Sequence, residues 1–315
     1  MNNSVYLGID TSNYTTSAAI FSADGIIQEK KLLPVAEGKC GLRQSDAVFH
    51  HTAQLPQIIE KLFRVSDTDR ISAVGASFTP RSVEGSYMPC FTVGSGFARS
   101  LAAVMNIPVC AFSHQQGHIA AAAYSCGERS LFEKKHLAFH VSGGTTEAII
   151  VTHSERDIIN TELVGRTLDL NAGQLIDRVG VMLGLEFPCG SQIEKLALNF
   201  SGKIKAKPVV KGCDCCISGV QNICENMYRK GIPNEEIAAY VLKYVENTLL
   251  LMTENIFEKY GKMPVLFSGG VMSNSIIRKN ITEKLGNAYF AKPEFSSDNA
   301  AGIAVLTAIK SGECV

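Results

Sequence analysis

The chain has 315 residues, with 30 Lys and Arg against 30 Asp and Glu and a formal net charge of zero. That length suits two lobes of about 150 residues each, and the charge balance argues against a free-standing nucleic-acid binder with a broad basic face, so an RNA partner would need a local patch or helper subunits. Ten cysteines at irregular spacing, behind an amino terminus without signal character, point to reduced thiols in a cytoplasm rather than a disulfide framework. No apolar run reaches membrane-spanning length, so no membrane is expected.

The opening SVYLGIDTSNYTTSAAIFSADGII reads as a strand, a polar turn, a second strand and a Gly-containing turn. Next comes the helical segment FHHTAQLPQIIEKLF, in which His50 and His51 read as surface or packing residues. The strand ISAVGASFT, the helix GSGFARSLAAVMN and the strand PVCAFS follow. KKHLAFHVSGGTTEAIIVTHSERDII then repeats the plan of the opening hairpin. LNAGQLIDRVGVMLGLE and IPNEEIAAYVLKYVENTLLLMTENIFEKYG have helical period, and the latter feeds a buried strand, PVLFSGG. That strand runs into a helix expected to start near Ser273. Alternating strands and helices indicate α/β layers with parallel pairing.

Gly-rich turns at 142–144 and 269–270 offer backbone N–H groups suited to a phosphate, or simply end strands for steric reasons. Two hairpins and a Gly-Gly helix start together resemble the two-lobed actin-like fold of sugar kinases and heat-shock ATPases, with duplicated ribonuclease-H-like lobes. Lobe I is expected over 1–112, completed by a C-terminal helix 299–315, and lobe II over 113–298.

The segment SHQQGHIAAA puts His114 and His118 four apart, on one helix face, where they serve either as two ligands of one ion or as two polar residues. A third ligand is offered by Asp298, which precedes an alanine-rich helix and could equally be its N-cap. Gln115 and Gln116 stand between the histidines, so a zinc protease of the H-E-x-x-H kind is not expected. The cysteines of GCDCCISG, with Cys224 nearby, fit neither a zinc ribbon nor a ferredoxin spacing. The basic run KIKAKPVVK, with Lys203, Lys205, Lys207 and Lys211, reads as a solvated loop or as a phosphate contact.

Six ordered stretches resemble the TsaD family of tRNA threonylcarbamoyladenosine transferases, once labelled glycoproteases: YLGIDTS, RSLAAVMNIPVCAFSHQQGHIAAA, HVSGGTTEAIIV, GRTLDLNAGQLIDRVGVMLGLEFPCG, SGGVMSNSIIR and SSDNAAGIA. The resemblance implies an actin-like scaffold and transfer of a threonylcarbamoyl group from threonylcarbamoyl-AMP to the adenosine beside the anticodon of tRNA. It implies one divalent metal per subunit, iron or zinc, on His114, His118 and Asp298. It implies phosphate contacts at Val141, Ser142, Gly143 and Gly144, and nucleoside contacts at Asp177, Gly190 and Asn274. The implied partners are the adenylate, tRNA delivered through partner subunits, and TsaB-like and TsaE-like proteins.

The chain also departs from the family's pattern. Ser12, Asn13, Tyr14, Thr15 and Thr16 stand where the family reads S-C-D-E-T, and Leu168 to Gln174 stand where it reads L-D-D-A-x-G-E. H-M-E-G-H has become H-Q-Q-G-H, the Gly-Pro-Gly loop has become Thr79-Pro80-Arg81-Ser82, and Thr145 replaces the His after S-G-G. The missing carboxylates are candidates for orienting or deprotonating the acceptor amine. Their loss keeps two other readings open: a diverged carbamoyltransferase acting on a small molecule, and a catalytically idle nucleotide-binding scaffold subunit.

Overall fold

The computed structural model describes residues 4–12, 14–34, 42–65, 70–296 and 300–315. In chain order the strands and helices begin with β1 (Val5–Ser12), β2 (Thr15–Ser22), β3 (Gly25–Leu32), α1 (Gln44–Val65), β4 (Ile71–Thr79), α2 (Phe91–Met105), β5 (Val109–Ser113) and α3 (His114–Cys126). They continue with β6 (His136–Val141), β7 (Thr146–Ser154), β8 (Ile158–Arg166), α4 (Ala172–Met182), α5 (Gly190–Leu198), β9 (Val209–Lys211), β10 (Asp214–Cys216) and α6 (Gly219–Arg229). The last are α7 (Asn234–Tyr260), β11 (Val265–Ser268), α8 (Ser275–Leu285), β12 (Ala288–Phe290) and α9 (Ala301–Lys310).

Two compact units result: Met1–Lys134 with Thr152–Thr161 and Glu294–Val315, and Lys135–Val151 with Glu162–Pro293. The first is built on a sheet of order β3-β2-β1-β4-β5, antiparallel at the hairpin end and parallel from β1 onward. Every residue of β1 is buried, because β1 is a central strand with helices on both faces. Gly8, on one face, lies against the backbone of α9, while Thr11, on the other, bonds to Cys90 O (2.9 Å) and receives Gly94 N–H (3.1 Å) at the start of α2.

The expected boundary after residue 112 is corrected here: α3 groups with the first unit. The reason is steric. Gly302 of α9 has no room for a Cβ because the Gly117 carbonyl and the Ala121 nitrogen of α3 occupy that space. Ala120 to Ala123 are consequently buried at this helix crossing, so the alanine run belongs to a close-packed core seam.

The second unit carries a sheet of order β12-β11-β6-β7-β8. Phe139, Phe267 and Phe290 are in register on three parallel neighbours and stack with ring centroids 5.2 and 5.1 Å apart. The long helix α7 buries Ile237, Val241, Val245, Leu249, Met252 and Ile256 in the same core, one apolar face at helical spacing. β3 and β8 extend the two expected hairpins into three-stranded meanders. Their half-exposed, polar-rich sequences, GIIQEKKL and IINTELVGR, carry weak strand signals because edge strands need bury only one face.

Candidate functional site

Each unit presents one constellation of the expected residues. In the first unit, β5 ends at Ser113, which caps α3 through a reciprocal box: Gln116 N–H donates to Ser113 Oγ (3.2 Å) and Ser113 N–H to Gln116 Oε1 (2.7 Å). Gln116 Nε2 also donates to the Ile159 carbonyl at 2.7 Å. This glutamine is therefore spent on structure. The cap places His114 and His118 on one side of the first turns of α3, with their Nε2 atoms 2.9 Å apart.

His114 Nδ1 lies 2.5 Å from Asp10 Oδ2 at the end of β1. A proton held on Nδ1 and donated to the carboxylate leaves the His114 Nε2 lone pair outward, the arrangement of a carboxylate–histidine ligand pair. At 2.9 Å the two nitrogens share a hydrogen bond; one ion about 2.0–2.1 Å from each would need them about 2.9 Å apart at an octahedral right angle and about 3.4 Å apart at the tetrahedral angle usual for zinc, so a cation could replace the shared proton with little ring movement. Asp10 is 1% exposed, and its Oδ1 has no hydrogen-bond partner among the described residues. Asp298, the third expected ligand, lies outside the described residues, among which no group of three or more His, Cys, Asp or Glu is placed to hold a metal.

On the opposite sheet face, His51 is fully buried and its Nδ1 pairs with Thr16 Oγ1 (2.8 Å), whose hydroxyl donates to Gln54 Oε1 (3.0 Å). Burial, with a smaller effect of neighbouring His50 and against the attraction of Asp10, lowers its pKa to about 4. Of the two alternatives its sequence context leaves open, surface or packing, His51 takes the packing role.

In the second unit, a cavity of about 400 Å³ is lined by Gly143, Asp177, Gly190, Glu194, Ser273 and Asn274, among others. Four of the seven expected nucleotide contacts thus meet at one place. The turn between β6 and β7 is tied by Ser142 N–H to Thr145 O (2.7 Å), and by Gly144 and Thr145 N–H to Ser142 Oγ (3.3 and 3.1 Å). The Gly143 N–H donates to no acceptor among the described residues. Val141 has its side chain fully buried in the core, so only its backbone is available to a ligand.

The glycines divide into two kinds. Gly269 has φ +95° and sits against the Val141 carbonyl, and Gly173 lies on the turn itself, where a Cβ would come 2.6 Å from Gly143 N. These two are glycine because the fold demands it. At Gly143, Gly144, Gly190 and Gly270 a Cβ would meet nothing within 4 Å, and the backbone is not in the left-handed region. Glycine there leaves open a cradle that the protein itself does not fill.

Asp177 Oδ1 accepts the Cys189 N–H at 2.8 Å, holding the loop that starts α5. Asn274 caps α8 by accepting Ile277 N–H at 3.0 Å, so the helix begins at Ser275, after a 3-10 turn over Gly270–Ser273 and later than its expected start. Glu194 is a lining residue that sequence reading missed, though it stands four after Gly190 on the same helix face. It accepts from Ser275 N–H and Oγ at 2.7 and 2.5 Å, tying α5 to α8 across the cavity floor.

Asp169, which remains from the family's acidic motif, is committed elsewhere. Burial works to raise its pKa. The Ser218 hydroxyl and the N–H groups of Ile217, Leu170 and Ser218 outweigh that and hold it below the ordinary carboxylate range. Leu170, in place of the second acid, is buried in the core.

The architecture is that of the actin-like ATPases and sugar kinases, as expected. The chain is similar over 99% of its length to full-length HypF in its phosphate- and nucleotide-bound form, with TM-score 0.60 and 14% identity, spanning 56% of that protein. It is similar over 98% of its length to component A of the Acidaminococcus fermentans (R)-2-hydroxyglutaryl-CoA dehydratase, covering 99% of that chain, with TM-score 0.57 and 16% identity. The chain belongs to the TsaD family, tRNA N6-adenosine threonylcarbamoyltransferase, whose model it matches over residues 35–305. A tRNA N6-adenosine threonylcarbamoyltransferase of Riemerella anatipestifer is 28% identical over 98% of this chain and 94% of its own length.

Proposed function

We propose that this chain is a cytoplasmic acyltransferase that moves a threonylcarbamoyl group from threonylcarbamoyl-AMP to the adenosine beside the anticodon of tRNA, assisted by TsaB-like and TsaE-like subunits. The observation that carries the reading is the meeting of Gly143, Asp177, Gly190 and Asn274 on one cavity in a chain of this family.

The adenylate's phosphate would lie on the Gly143–Gly144 turn, where an unspent N–H donor and the missing side chains permit close approach. Asp177, with one oxygen on Cys189 N–H, has its other oxygen for ribose hydroxyls. Asn274 spends its carbonyl on the α8 cap and has its amide N–H groups for the ligand. His114, His118 and Asp298 would hold the divalent iron or zinc, which when bound would supply a Lewis acid. Asp10, paired with His114 Nδ1, would hold the proton there and leave Nε2 available as a ligand.

A second reading, transfer to a different acceptor, is favoured by one feature of the chain: Tyr14, Thr15, Leu170 and Gln174 replace acids that could activate an amine. The experiment is transfer of radiolabelled threonylcarbamoyl from its adenylate to unmodified tRNA, with partner subunits and added iron or zinc. Labelled tRNA supports the proposal. AMP release with no labelled tRNA, beside an active orthodox homologue, sustains the second reading, and adenylate binding without turnover leaves only a scaffold role.

A further inference from the structure

A second cavity of about 460 Å³ lies in the same unit, farther along α5 and α8 than the nucleotide cavity, between α7 and the segment 200–205. Over residues 203–208 that segment is neither helix nor strand, and exposure alternates along it as in an extended chain, with Lys203, Lys205 and Lys207 exposed and Ile204, Ala206 and Pro208 half-buried. Two side chains of α7 pin it: Asn247 Nδ2 donates to Ala206 O at 2.7 Å, and Tyr244 Oη accepts Val209 N–H at 3.1 Å. The three lysines form no ion pair among the described residues. The backbone beside this row is thus tied to α7.

Glu246 is the one carboxylate lining this cavity, and it is already matched. It is 1% exposed and bonded by Lys243 (2.7 Å), Lys284 (3.0 Å) and Asn280 (2.7 Å). Burial opposes its ionisation, but these bonds prevail and lower its pKa. With two lysines on one carboxylate, the surroundings stay positive even where the chain as a whole is neutral.

Alternate residues of an extended segment stand about 6–7 Å apart on one face, close to the interval between successive phosphates of a nucleic-acid strand. A small anion would reach one or two of these lysines, whereas a phosphate chain satisfies all three. We propose that Lys203, Lys205 and Lys207, with the cavity beside them, form a docking surface for the phosphate backbone of the acceptor RNA. The surface lies along the same two helices whose N-terminal ends line the adenylate cavity. This inference rests on the reading that tRNA is the acceptor.

The test uses the full-length protein and unmodified tRNA, with affinity measured by fluorescence anisotropy over a range of salt. A variant with Lys203→Gln, Lys205→Gln and Lys207→Gln should bind tRNA at least tenfold more weakly. Its slope of log affinity against log salt should be smaller by about two, since each lost phosphate contact removes about 0.7 to 0.9. The matching triple Lys→Arg variant should bind as wild type does, and both should bind a non-hydrolysable adenylate analogue unchanged. A Gln variant with wild-type affinity and slope overturns the surface while leaving the transfer reading intact if wild type still labels tRNA. Wild-type protein that neither binds nor labels tRNA overturns both. Equal loss in the Arg and Gln variants refutes the charge-based role.

Discussion

Asp10 Oδ2 holds His114 Nδ1 at 2.5 Å across 104 positions of sequence. The contact converts a histidine of undetermined tautomer into one whose Nε2 is presented beside that of His118. Removing the carboxylate in Asp10→Ala is therefore expected to weaken binding of the proposed metal by about 10- to 100-fold, measured by competition with a chromophoric chelator. Asp10→Asn, which keeps an acceptor oxygen, should fall between wild type and Ala. Nitrogen-detected NMR of the metal-free protein should show His114 changing tautomer in the Ala variant, and an unmoved His114 spectrum would mean that something other than Asp10 orients the ring.

The two kinds of glycine in the second unit predict opposite outcomes for one chemical change. Gly143→Ala adds a methyl group facing open space, so stability should change by less than about 0.5 kcal/mol while affinity for an adenylate analogue falls. Gly173→Ala drives the methyl group into the turn backbone and should cost about 1–3 kcal/mol in denaturant unfolding. If both variants lose stability alike, the turn is a structural feature and the cradle assignment fails.

His51 links stability to pH. Its folded pKa of about 4 lies below the ordinary value near 6.5, so the unfolded chain takes up a proton before the native state does. The native state is accordingly favoured in full above about pH 6.5 and loses that contribution as pH falls toward 4, to a total of about 3 kcal/mol. Urea midpoints measured across this range should decline less steeply in His51→Gln. An identical slope in the variant would place the acid sensitivity on other groups.

Gly302→Ala tests the seam that carries the histidine helix. The added methyl group meets the Gly117 carbonyl and the Ala121 nitrogen of α3, so α3 and α9 must separate. We expect a loss of about 2–3 kcal/mol, with weaker metal retention because His114 and His118 ride on the displaced helix. Differential scanning calorimetry and metal analysis of the same preparation check both parts, and an unchanged melting temperature would contradict the packing described here.

Much of this protein is legible in one dimension because local backbone geometry writes itself as a period. The apolar runs of VYLGIDTS and HLAFHV, the helical period of α7, and the i, i+4 spacing of His114 and His118 each follow from a run, a repeat or a short offset. The TsaD motifs are equally linear. Other relationships have no local signature, since they depend on which distant surfaces pack together. Asp10 reaches His114 because β1 and α3 meet in one unit, and α3 joins that unit because the chain returns at α9 with glycine at the crossing. Gly143 and Gly173 are the same letter in the sequence; only the tertiary fold puts backbone beside one and open space beside the other, and that difference separates a packing glycine from a ligand cradle.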